Sequence, residues 1–157
     1  MTECSFDSIK VRVRLGPYKD EKLDLALMSS NVLAGVDSGA ASGGFGITIQ
    51  EQPSAEKAEY WPVLSMDTPN RREAIYEAVK NTLDTAERDE AERVGIFTLG
   101  LEVARVPSWE VAEEISKAVY DYSKVTTHVK EVVVIASSPT QVSSFHYALN
   151  NISVISS

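Results

Sequence analysis

Residues 9–15 alternate strictly, with Ile9, Val11, Val13 and Leu15 on one side and Lys10, Arg12 and Arg14 on the other. That period of two predicts a half-buried strand with a basic, solvent-facing side. After the breaker Gly16-Pro17, residues 23–28 form a more continuous apolar run and predict a strand buried on both faces. Residues 46–50 and 61–66 read as short strands separated by a polar linker over 51–59. Ala74, Ile75, Ala78, Val79, Thr82, Leu83 and Ala86 recur at helical spacing, with Asp67 or Thr68 as cap and Pro69 at the first position. A buried strand over 94–99 leads to a second helix opened by Pro107-Ser108, with Val111, Ile115, Ala118, Val119 and Tyr122 inward. Residues 129–136 repeat the pattern as a strand, and Ser138-Pro139 opens a last helix carrying Val142, Phe145 and Leu149. Residues 152–157 fit either an added strand or a frayed end.

Strands alternating with helices imply right-handed crossovers. The expected fold is therefore α/β, three-layered, with a mixed, mainly parallel central sheet flanked by helices on both faces. No internal repeat or linker divides the chain, so a single domain over residues 1–157 is expected. A chain of 157 residues buries roughly 70% of its unfolded surface, enough for one core.

Composition narrows the partners. The net charge of −8, with no Lys/Arg cluster beyond Arg71-Arg72, argues against duplex nucleic acid. No run approaches the roughly 18 apolar residues of a membrane span, and no export signal is recognisable, which points to the cytoplasm. Cys4, the single cysteine, can form no internal disulfide and no thiolate cluster. No cofactor and no metal is expected. His128 and His146 are read as packing or surface residues, Trp61 and Trp109 as core or rim anchors, and Glu110, Glu113 and Glu114 as a dipole-matched first turn. Residues 87–92 read as a solvated helix end.

Ligands of such sheets bind beyond the carboxyl ends of the strands. Three loops qualify: residues 29–46, which hold five of the eight glycines, residues 100–106, and residues 136–139. Phosphate-loop, dinucleotide and nucleophile-elbow motifs are absent from the first.

The order of residues resembles the macro domains, the ADP-ribose-binding fold. Asp24-Leu25-Ala26-Leu27-Met28-Ser29-Ser30-Asn31 is similar to the family segment D-A-I-V-N-A-A-N, and Gly35-Val36-Asp37-Ser38-Gly39-Ala40 to its G-V-D-G-A. Arg93-Val94-Gly95-Ile96-Phe97 stands in the place of the strand S-I-A-F-P, and the loop ending at Pro107 in that of S-T-G-x-x-G-x-P. The likeness spans about residues 20–150. It implies a domain that binds ADP-ribose or a related nucleotide-sugar or phosphorylated metabolite. Carried over residue by residue, it nominates Asn31, Gly35, Val36 and Asp37 in the first loop and the backbone of Gly100, Leu101, Val103 and Ala104 in the second.

The departures are specific. Met28 replaces the family's first asparagine, Asp37 follows Asn31 by only six positions, and Glu102 and Arg105 stand for loop glycines. Pro17 takes the place of the carboxylate expected at the adenine. Glu102 would direct a carboxylate where a phosphate should lie. Two alternatives follow: an interaction module that has lost its ligand and, ranked below binding, an ADP-ribosyl hydrolase in which Asp37 orients a water. No catalytic residue is assigned and the oligomeric state is left open.

Overall fold

The computed structural model describes residues 2–16, 22–29, 55–125 and 127–155. Among them six strands form one sheet: β1 (Thr2–Phe6), β2 (Ile9–Leu15), β3 (Leu23–Met28), β4 (Ala55–Tyr60), β5 (Arg93–Phe97) and β6 (Glu131–Ala136). Their spatial order is β1-β2-β6-β5-β3-β4, with β1 antiparallel to β2 and every other neighbouring pair parallel. The described helices are α1 (Arg71–Arg88), α2 (Leu99–Val103), α3 (Ser108–Tyr122), α4 (Pro139–Asn150) and α5 (Ile152–Ile155).

The alternation in β2 is expressed over Ile9, Val11 and Val13, whereas Leu15, expected on the same face, is exposed at the strand's end. Ile9, Val11 and Val13 join Leu25, Leu27, Val94, Ile96, Val132 and Val134 in the main core, over which α1, α3 and α4 lie. Phe145 of α4 is 1% exposed there, a burial of the kind that contributes roughly 1.5–3 kcal/mol per large apolar side chain. The opposite face carries a second buried cluster of Leu23, Ala26, Phe97, Val133 and Ile135. Near-continuous apolar runs such as 132–136 arise because both faces of these inner strands are withdrawn from water. The α/β class and the mixed, mainly parallel sheet are as the sequence predicts.

Several local readings are corrected. β4 lies at 55–60, largely within the expected polar linker over 51–59, whereas 61–66 is not a strand. Trp61 turns inward instead and donates its indole N–H to the Phe97 carbonyl at 2.8 Å, while Pro62 has no N–H for a ladder. β4 is held by polar contacts: Thr82 and Thr85 of α1 donate to Glu59, and Lys57 pairs with Asp89.

Helix α1 starts at Arg71, two residues beyond Pro69. Asn70, in a left-handed conformation with φ 57°, precedes it without a side-chain cap, and Thr68 bonds Ser65 instead. The stretch 100–106 is partly helical, since α2 occupies Leu99–Val103. The basic side of β2 is only partly wet. Arg12 and Arg93 flank Glu131, with Arg12 Nε 2.9 Å and Arg93 Nε 2.6 Å from its carboxylate oxygens. The strand β1 was not anticipated, and residues 152–155 form a short helix. The expected strand at 46–50 lies outside the described residues.

Candidate functional site

The carboxyl ends of β2, β5 and β6 meet at one edge of the sheet, and the segments leaving them build the described part of the site. Gly16 donates its N–H to the Ala136 carbonyl at 2.9 Å, and Thr98 donates its N–H to the Ile135 carbonyl at 3.2 Å. An open cleft of about 450 Å³ lies beside this edge, lined by Arg14, Leu15, Pro139, Val142 and Ser143. It combines an apolar floor with one cation and one hydroxyl, the mixture that fixes the orientation of a small ligand.

α4 begins at this cleft for reasons visible in its sequence. Ser138 is extended, its hydroxyl accepts from the Gln141 N–H, and Pro139 occupies the first helical position, where a missing N–H is harmless. Gln141 is fully buried beneath the turn. Its Oε1 accepts from Thr98 Oγ1 at 2.5 Å and from the Ser137 N–H at 2.9 Å. These bonds tie the exit of β5 to that of β6.

The loop after β5 is drawn inward by Leu101, 2% exposed, and by Val106. Ala104 packs against the same core, and Val103 faces solvent. The backbone N–H groups of Leu101 and Ala104 donate to the Thr98 and Gly100 carbonyls, and those of Glu102, Arg105 and Val106 are also used within the loop. Arg105, at φ 66°, takes the backbone conformation that the sequence comparison would give to a glycine. The Glu102 carboxylate reaches across to the next loop, accepting from Ser137 Oγ at 2.5 Å and Ser138 Oγ at 2.7 Å. Asn31, Gly35, Val36 and Asp37 lie outside the described residues, as does Pro17.

A second polar constellation joins α1 to the start of α3. Arg71 donates through Nε and Nη2 to Glu110 at 2.8 and 2.9 Å, and Arg72 donates to Glu113 and Glu114. Burial alone would lower the Arg72 pKa, but the two glutamates hold it raised. Glu110 and Glu114 are buried, so these carboxylates do more than match a helix dipole. Arg72 also sits 5.1 Å from the ring centre of the half-exposed Trp109. His128 hydrogen-bonds Glu87 through Nδ1 at 2.7 Å as an exposed surface histidine, and Arg88, Asp89, Glu90 and Glu92 around this helix end are solvent-exposed, as expected. Among the described residues no group of three His, Cys, Asp or Glu is placed to hold a metal ion, and no helix is long and apolar enough to cross a membrane.

No family model and no curated protein matches the sequence. Solved structures do match in shape. The macrodomain of Oceanobacillus iheyensis with ADP superposes with a TM-score of 0.72 at 11% identity, covering 98% of this chain and 96% of that one. The Trypanosoma brucei macrodomain in complex with ADP-ribose gives a TM-score of 0.64 at 12% identity over 88% of this chain and 68% of that one. The same macrodomain in complex with ADP gives 0.63 at 11% identity over the same shares. At such identities the likeness defines the fold. This chain has the macrodomain fold in a divergent form.

Proposed function

We propose that this protein binds ADP-ribose or a closely related nucleotide at the carboxyl edge of its sheet. The observation that carries the reading is the cleft of Arg14, Leu15, Pro139, Val142 and Ser143, open at that edge in a fold shared with macrodomains solved with ADP and ADP-ribose. Its volume lies within the usual range for small-molecule sites and suits a base with its ribose. In this reading the nucleoside half rests against Leu15, Pro139 and Val142, with Arg14 and Ser143 supplying polar contacts. Asn31 and Asp37 read the distal ribose, Gly35 and Val36 line the phosphates, and residues 100–104 form the opposite wall through Gly100, Leu101, Val103 and Ala104.

Binding is proposed ahead of hydrolysis, which would require Asp37 to orient a water. The test is calorimetry with ADP-ribose, using AMP and ribose 5-phosphate as comparisons. A micromolar dissociation constant, on the order of −8 kcal/mol, is expected for ADP-ribose. No heat at millimolar ADP-ribose contradicts the reading.

One observation favours a second reading, an interaction module without a nucleotide. The N–H groups of Leu101, Glu102, Ala104, Arg105 and Val106 in the second loop are spent internally, and Glu102 is already bonded to two serines. That reading predicts failure of every nucleotide tested.

A further inference from the structure

The turn from β6 into α4 is closed by a carboxylate from another element. Both oxygens of Glu102 on α2 are used on hydroxyls of Ser137 and Ser138 at the start of the 12-residue helix α4. Two hydroxyl donors beside the positive end of a helix have the chemistry that receives an oxyanion. Glu102 is the oxyanion seated there.

The hydroxyl protons show that this contact is directional. Ser138 Oγ accepts from the Gln141 N–H at 3.2 Å, so its own proton is aimed outward at Glu102. Ser137 has one hydroxyl proton and two acceptors in reach, Glu102 Oε2 at 2.5 Å and Gln141 Oε1 at 3.0 Å. The charged acceptor takes the stronger bond.

A second observation comes from beneath the turn. Gln141 is fully buried, and its Oε1 is crowded by Thr98 and Ser137 donors while its Nε2 has no partner among the described residues. Flipping the amide would set Nε2 against the Ser137 N–H, so the orphaned donor is fixed. The cluster therefore holds more donor capacity than the described residues satisfy.

We propose that the Ser137-Ser138 turn is an oxyanion seat that Glu102 occupies in the unliganded protein, and that a phosphate-bearing ligand takes it only by displacing this carboxylate. The proposal rests on the nucleotide reading and deepens it. Pro139, which lines the cleft, directly follows Ser138, so a nucleoside in the cleft carries its phosphate toward the seat. A phosphate beside the retained carboxylate would meet like charge at close range. Glu102 thus sets the discrimination between a bare nucleoside and its phosphorylated form.

The test titrates wild type, Glu102→Ala, Glu102→Gln and a Glu102→Ala/Ser137→Ala/Ser138→Ala variant with inorganic pyrophosphate, adenosine and ADP-ribose, each protein first checked for its folded circular dichroism. Both single variants should bind pyrophosphate at least about tenfold tighter than wild type, with adenosine affinity unchanged. The gain should vanish when the serines are removed. Folded Glu102→Ala and Glu102→Gln proteins that bind pyrophosphate no better than wild type would overturn the proposal, as would a gain that survives loss of both serines. If adenosine and ADP-ribose bind none of the proteins while the pyrophosphate gain is present, the nucleotide reading falls and the seat stands.

Discussion

Arg71 and Glu110 are joined by a two-pronged ion pair at 2.8 and 2.9 Å, linking the first turn of α1 to the first turn of α3. Arg71 also donates to the Met66 carbonyl at 3.0 Å, so one guanidinium gathers three segments. Glu110 is 6% exposed, and losing its partner leaves a carboxylate unpaired in a dry place. Arg71→Ala should cost about 2–3 kcal/mol, less than for a fully buried pair because Arg71 keeps some contact with water. The melting temperature should fall by roughly 5–10 °C in calorimetry. An unchanged transition would show that solvent replaces the pair.

Gly95 in β5 tests the packing of the second sheet face. A Cβ there would lie 2.4 Å from Leu23 Cδ1 and 3.2 Å from Phe97 Cε1. Leu23 is wholly buried and cannot swing into solvent. Gly95→Ala should therefore destabilise by roughly 1–3 kcal/mol through overpacking. Combining it with Leu23→Ala should cost less than the sum of the two single changes, which a double-mutant cycle in urea measures.

The pH dependence has two limbs. The Glu87 carboxyl is held below its ordinary range by hydrogen bonds from Thr127 Oγ1 and the His128 N–H, with the His128 ring adding to them. A depressed folded pKa contributes stability that is present above the unfolded value and lost as pH falls through the folded one. The gap in urea midpoint between wild type and Glu87→Gln should thus be open at neutral pH and close as the solution is acidified.

At the alkaline end, burial, followed by the bond to Asp121, pushes the Tyr76 hydroxyl up to about 12. Burial, followed by the charge of Asp84, does the same for Tyr122, also to about 12. Raised folded values mean stability that is intact below the ordinary tyrosine range near 10 and lost as pH climbs toward about 12. Phenolate absorbance should show a late step that Tyr76→Phe and Tyr122→Phe each reduce. A late step unchanged in both variants contradicts the assignment.

What could be read from the sequence follows from how local each signal is. The alternation of β2, the apolar run of β6 and the Ser138-Pro139 start of α4 are set by neighbouring residues, and all three appear where expected. β1 and β4 have no such signal. The first is fixed by pairing Cys4 with Val11 and Phe6 with Ile9, and the second, Ala-Glu-Lys-Ala-Glu-Tyr, by a parallel register with β3 and by the α1 threonines on Glu59. Edge strands bury little, so their composition resembles a linker.

The site divides in the same way. Glu102 was recognisable as a carboxylate replacing a loop glycine, but its serine partners lie 35 and 36 residues away and only the fold brings them together. Thr98 and Gln141 carried no local mark and were missed. The Arg71–Glu110 pairing was hidden likewise, because each partner taken alone reads as an ordinary helix-end charge.

The most direct test of the central claim is a titration of the isotopically labelled protein with ADP-ribose, followed by amide NMR. Nucleotide binding at the carboxyl edge predicts saturable shifts that concentrate on Arg14, Leu15, Ser138, Val142 and Ser143, with the β1–β2 turn at Asp7 unmoved. A spectrum unchanged at millimolar ADP-ribose, or shifts confined to residues remote from the cleft, would contradict it.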